Sequence, residues 1–159
     1  MTSVPVRDGW ASLAVGDVLP EVVLQVTEQT VILVPVATWD LFPGHHSPAY
    51  ARAQGQQDMY LNTIALQGVA DRAVTDSLGP RTWVVRRKLD MLGSVYPRDT
   101  LRGAATVVDV RRSTPVGTPA AAVSQDSIEA DFTVDMSTGR GPVLRAEITA
   151  RRYHHQGRS

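Results

Sequence analysis

The sequence predicts an α+β fold, a curved antiparallel sheet wrapped around one long helix, and three observations lead there. With 159 residues the chain is of the size that builds one core and too short for two ordinary ones. Between Met59 and Leu78 the apolar residues Leu61, Ile64, Ala65, Val69 and Val74 recur at helical spacing, and Gly79-Pro80 stops the run. After Pro80 the character becomes β: four stretches rich in Val, Ile, Thr and aromatics are separated by Gly, Pro, Asp and Ser. Runs of strands beside a lone long helix describe a sheet packed on that helix.

Taken in order, Glu21 to Val26 reads as a first strand. Thr30 to Thr38 (TVILVPVAT) reads as strand by its β-branched content, yet Pro35 interrupts it and leaves the residues alone undecided. Ser47 to Ala53 reads as a short helix, with Ser47 able to cap it, Pro48 at its first position and Gly55 ending it. The long helix follows, and then strands over Thr82 to Leu89, Thr100 to Arg112, Ile128 to Ser137 and Val143 to Tyr153. Ser113 to Ser124 (STPVGTPAAAVS) reads as a loop, and 154–159 as a short polar tail on a core of about 10–153.

Composition narrows the function. Lys plus Arg equal Asp plus Glu at 16 each, so no overall bias draws the chain to nucleic acid or to an anionic membrane. There is no cysteine, which removes disulfides, thiolate nucleophiles and Cys-based metal sites and suits a reducing compartment. MTSVPVRDGW has no apolar signal-peptide core and no stretch approaches the roughly 18 apolar residues of a membrane span, so a cytoplasmic protein is expected. The four histidines form no HxH or HExxH pattern, and His154 and His155 are adjacent and point apart along a strand, so no metal is expected.

The richest stretch is WDLFPGHHSPAYA, Trp39 to Ala51. Asp40-Leu41-Phe42-Pro43-Gly44-His45, followed by Pro48 and Ala51, resembles the D-x-N-P-x-H signature of the MaoC-like (R)-specific enoyl-CoA hydratases. Val15-Gly16-Asp17 with Leu19-Pro20, the helix after Gly55, and Tyr96-Pro97-Arg98-Asp99-Thr100-Leu101 are similar in order and spacing, so the resemblance spans about Trp10 to Tyr153. Within the family the chain most resembles the small MaoC-like subunit of actinobacterial steroid side-chain hydratases, through the second histidine, His46, and through Ala53-Gln54-Gly55 and Asp58-Met59-Tyr60-Leu61-Asn62.

The resemblance implies a hotdog fold, a helical Thr30 to Thr38, and hydration of a trans-2-enoyl thioester or the reverse dehydration of a 3-hydroxyacyl thioester. Asp40 and His45 are then the catalytic pair and the amide near Asn62 the oxyanion donor; no cofactor is implied. Phe42 stands where the signature has Asn, and Asn62 where many members have Gly. The chemistry suits the residue types. Water addition needs a base for the water, an acid for the α-carbon and donors for the enolate oxygen, and a carboxylate with an imidazole spans both protonation roles near neutral pH. Pro43 and Gly44 let the chain reverse so that both side chains face one cavity.

Trp39, Leu41, Phe42, Met59 and Tyr60 surround the motif and suit a pocket for a bulky acyl group on coenzyme A or an acyl carrier. A homodimer, or a heteromer with a second MaoC-like chain, is expected from the family. Blander roles exist for each residue: Asp40 could bond its own turn, His46 could face solvent, and Arg86, Arg87 and Lys88 could be a solvated strand face instead of a phosphate contact. Two other functions suit the same fold: an acyl-CoA thioesterase led by Asp58, Asp71 or Asp76, and a catalytically silent acyl-binding subunit of a heteromeric hydratase.

Overall fold

A computed structural model describes residues 9–113 and 127–152 of the chain. In chain order these form β1 (Val22–Gln25), α1 (Glu28–Thr38), a 3-10 turn (Pro43–His45), α2 (Pro48–Ala53), α3 (Thr63–Leu78), β2 (Thr82–Met91), β3 (Thr100–Ser113), β4 (Ser127–Thr138) and β5 (Gly141–Arg152). The five strands make one antiparallel sheet in the order β1-β3-β4-β5-β2, which leaves β1 and β2 at its edges.

The long strands alternate as a half-buried sheet must. Leu101, Ala105 and Val107, then Ala130, Phe132, Val134 and Met136, then Leu144, Ala146, Ile148 and Ala150 are all buried. Against them α3 turns Leu66, Val69, Ala70, Ala73, Val74 and Leu78. Alanines on both surfaces bring helix and sheet close, and at about 25 cal/mol per Å² this apolar burial dominates the stability. The wrapped-helix architecture predicted from the sequence is therefore present.

Three expectations meet the structure. First, Thr30 to Thr38, undecided from its residues alone and helical by the family resemblance, lies in helix α1. Thr27 caps it: its Oγ accepts from Thr30 N at 3.0 Å while Thr30 Oγ accepts from Thr27 N at 3.4 Å. Only Val31 and Pro35 of the helix are buried, and burying them on the core outweighs the local β preference. Secondly, α3 begins at Thr63 and not at Met59; Asn62 caps it, and the residues before it run extended, with Leu61 N bonded to Val95 O at 2.8 Å. Thirdly, Ser113 closes β3 and does not open the following loop. The rest of that expected loop and the tail with His154 and His155 lie outside the described residues, as does Tyr153.

Among the described residues no helix is long and apolar enough to cross a membrane, and no three His, Asp or Glu side chains group as a metal site would require.

Candidate active site

The site is assembled where α1 ends and α3 begins. Trp39 ends α1 in the left-handed region, φ 57°, and this reversal leaves Asp40 N bonded to Pro35 O at 3.1 Å. Pro43 opens the 3-10 turn, where its fixed φ is useful and its missing N–H harmless. The turn is held by His45 N on Phe42 O at 3.0 Å and Ser47 N on Pro43 O at 2.8 Å. Gly44 is required by space: a Cβ there would come 2.6 Å from Phe42 Cε1 and 2.9 Å from Tyr60 Oη.

His45 is 7% exposed. Its Nδ1 lies 2.8 Å from Tyr60 O, and since a carbonyl only accepts, Nδ1 carries the hydrogen. Nε2 is thereby left facing Asp40 Oδ2 at 3.4 Å. The imidazole sits in an aromatic frame, edge-on to Tyr60 at 5.0 Å and to Phe42 at 5.6 Å, and Phe42 in turn meets Tyr50 of α2. Asp40 is one-third exposed, so one side of the pair stays open to solvent.

Asn62 is fully buried and spends its whole side chain on the protein. Oδ1 accepts from Ala65 N at 2.9 Å; Nδ2 donates to Thr38 Oγ1 at 3.1 Å and to Asp40 Oδ2 at 3.2 Å. Expected as a substrate contact, its side chain instead holds the acid. The other expected contacts divide. Tyr60 and Phe42 flank the imidazole, and Leu41 and Trp39 are exposed on the bend, Trp39 by 86%. Met59, expected beside the acyl group, is buried in the main core. His46 is exposed and spends Nε2 on Leu41 O at 3.2 Å, so it braces the bend from outside.

Reading the sequence missed Thr38 and Tyr50. Thr38 passes its own hydrogen to Val34 O at 2.8 Å, the usual bond of a threonine to the preceding turn, and so presents a lone pair to Asn62.

The alternative acids have other engagements. Asp58 caps Met59 N and pairs with Arg52; Asp76 pairs with Arg72 one turn away. Asp71 pairs with Arg87 at 2.9 Å, and burial pushes its carboxyl above the ordinary value while Arg87 pulls it back. Two members of the basic run of β2 are paired within the protein, Arg87 with Asp71 and Lys88 with Glu147 at 3.5 Å.

No protein-family model matches the chain. Among curated proteins it is similar to the 3-oxo-4,17-pregnadiene-20-carboxyl-CoA hydratase beta subunit of Mycobacterium tuberculosis, 32% identical over 97 residues that cover 60% of this chain and 75% of the relative. Among solved structures it is similar to a chain of the ChsH1-ChsH2 complex from Mycobacterium tuberculosis, with TM-score 0.72 and 26% identity over 87% of this chain and 98% of the other. The fold is also that of the (R)-hydratase from A. caviae involved in PHA biosynthesis, with TM-score 0.72 and 16% identity over 90% of this chain and 98% of the other.

Proposed function

The chain belongs to the MaoC-like hydratase and dehydratase family and has its hotdog fold, and from that premise we propose that it adds water to a trans-2-enoyl-CoA, or removes water from a 3-hydroxyacyl-CoA. The observation that carries the reading is the meeting of His45 Nε2 with Asp40 Oδ2 at 3.4 Å on the solvent-open side of a packed bend.

In the hydration direction a water between Asp40 and His45 attacks the β-carbon. The pair takes one of its protons, the electrons of the double bond move toward the thioester oxygen, and a proton returns to the α-carbon to give the 3-hydroxyacyl product. Asp40 Oδ2 already serves Asn62 and faces His45, so Oδ1 is the oxygen left for the water. The enolate oxygen is assigned to the start of α3. There Ala65 N is taken by Asn62 Oδ1 and Leu66 N by Asn62 O at 3.3 Å. The exposed turn offers the N–H groups of Thr63 and Ile64, backed by the helix dipole. On this reading the amide donor expected near Asn62 is the N–H of Thr63 or Ile64.

The exposed apolar rim of Trp39, Leu41 and Phe42, continued by Leu33 and Val36 of α1, suits a bulky acyl group, and the steroid substrate named for the relative is one of that class. The rim also needs a covering wall, which a second MaoC-like chain would supply, as the complex in the structural neighbour suggests. The outer edge of β2, where Trp83, Val85 and Met91 are exposed, is the surface assigned to it. A cytoplasmic location, expected from the sequence, is compatible with an acyl-CoA substrate.

The test is to incubate the protein, alone and with candidate partner chains, with enoyl-CoAs of graded size while following enoyl absorbance and free thiol. Loss of absorbance without thiol is expected, and in Asp40→Asn and His45→Gln kcat/KM should fall about a hundredfold or more. Thiol release at constant absorbance would mean a thioesterase. Full activity of the complex with Asp40→Asn would mean a silent subunit.

A further inference from the structure

We infer that Asn62 is a positioning residue, which selects the working oxygen of Asp40 and holds that carboxylate against His45, and makes no contact with substrate. The inference starts from the order of its bonds. Ala65 N–H can only donate, so Oδ1 must face it; the carboxylate of Asp40 accepts, so Nδ2 must face that. The second hydrogen of Nδ2 goes to Thr38 Oγ1, whose own hydrogen is committed to Val34 O. Every member therefore has one orientation, fixed at one end by the backbone of α1 and at the other by that of α3.

The chain of bonds ties together the two helix termini that make the site. Asp40 follows α1 by two residues and Asn62 immediately precedes α3, so the bond between their side chains sets how the acid stands relative to the proposed oxyanion donors. Asn62 is 0% exposed, which shields the bonds from competing water and keeps the side chain from any ligand. Phe42 offers Asp40 no competing polar partner. An asparagine at that place in the family signature would offer the bend a polar partner; the phenylalanine offers rings, to His45 and to Tyr50. The donor to Asp40 comes from across the site, 22 residues on.

Two variants separate positioning from folding. Asn62→Ser keeps an oxygen to cap α3 but cannot also reach Asp40, so Tm should stay within about 3 °C of the native protein. Its kcat should fall by about tenfold or more with KM within about twofold, the mark of a group that acts away from the substrate. Asn62→Asp keeps the cap acceptor and replaces the donor by a second carboxyl beside Asp40. Two such groups share a proton as pH falls, and the shared proton can restore the lost hydrogen bond. The variant should therefore gain activity toward acid relative to the native profile, which a merely destabilised protein would not do.

A crystal structure of Asn62→Ser is the decisive measurement, since it does not depend on the reaction. Asp40 should have swung away from His45 Nε2; a carboxylate still at the native 3.4 Å, or a native kcat, overturns the inference. The kinetic arms rest on the hydratase reading. Absence of hydration in the native complex defeats that reading alone, and the position of Asp40 then decides this one.

Discussion

Trp39 combines two features that oppose each other. It is 86% exposed and it holds φ 57°, a region that disfavours side chains with a Cβ by roughly 1–2 kcal/mol. Glycine is the usual residue where a helix ends in this way. Trp39→Gly should keep the bond from the cap N–H to Pro35 O and release that strain, less the entropy of a freer unfolded chain. A net gain of about 0.5–1 kcal/mol is expected from the urea midpoint at constant slope. If the indole forms part of the acyl wall, KM for a bulky enoyl-CoA should rise in the same variant while crotonyl-CoA is little affected; equal effects on both substrates would exclude that role. Asp40 and His45 were singled out through the family motif that the bend resembles, and the short, Pro-Gly-containing spacing is compatible with their meeting at 3.4 Å. Thr38, Asn62 and Tyr50 could not be read in the same way. Their partners lie 24, 22 and 8 residues away, and whether such residues meet depends on how α1, α2 and α3 pack.

The connections between helices and strands are held by a charged clamp that the hydrophobic pattern gives no sign of. Asp99, in the link from β2 to β3, is 8% exposed; its Oδ2 accepts from Tyr96 N at 2.9 Å, and its Oδ1 accepts two bonds from Arg140, at 2.7 and 3.1 Å. Arg140 comes from the turn between β4 and β5, lies 5.0 Å from the Tyr96 ring centroid, and reaches Gln57 in the run toward Asn62 at 2.6 Å. Arg140→Ala strips a nearly buried carboxylate of its counter-charge and should cost about 2–3 kcal/mol in urea unfolding. Arg140→Lys should recover little of this, since an ammonium cannot make the paired bonds. A loss below about 0.5 kcal/mol would reduce the clamp to an ordinary surface pair. The same packing explains what the sequence concealed in α1. Val31, Ile32, Leu33 and Val34 are apolar at four successive positions, so no helical stripe is visible, and Ile32, Leu33 and Val36 are exposed although apolar. The long helix showed its stripe because it has a single buried face, but its first turn was misplaced: Met59 and Leu61 are apolar for the core while their backbone runs extended to Val95.

The sheet as a whole has a dry face on α3 and a wet face laced with ion pairs, and the second sets how the protein meets acid. Across β3, β4 and β5, Arg111 binds Asp109, Asp131 and Glu129, and Arg151 binds Glu129 at 2.6 Å. Hydrogen bonds from Arg151 hold the Glu129 carboxyl below its ordinary value, and those from Arg111 do the same for Asp131, burial working against both. A carboxyl depressed in the folded state stabilises the fold at pH values above its unfolded pKa, and the contribution is lost as pH falls through the folded value. The network therefore contributes at neutral pH and fades below about pH 4. Its members are part-exposed, so screening by water keeps the contribution to about 1 kcal/mol. Asp71 acts in the opposite sense: its raised carboxyl opposes folding above its pKa and ceases to do so as acid protonates it. Arg111→Met tests the balance, with urea midpoints measured for both proteins from pH 7 down to pH 3. The native protein should be the more stable at pH 7, with the gap closing below about pH 4 and narrowing at pH 7 in high salt. A gap that stays constant across the range would place the effect of Arg111 in the packing of its methylenes on the sheet.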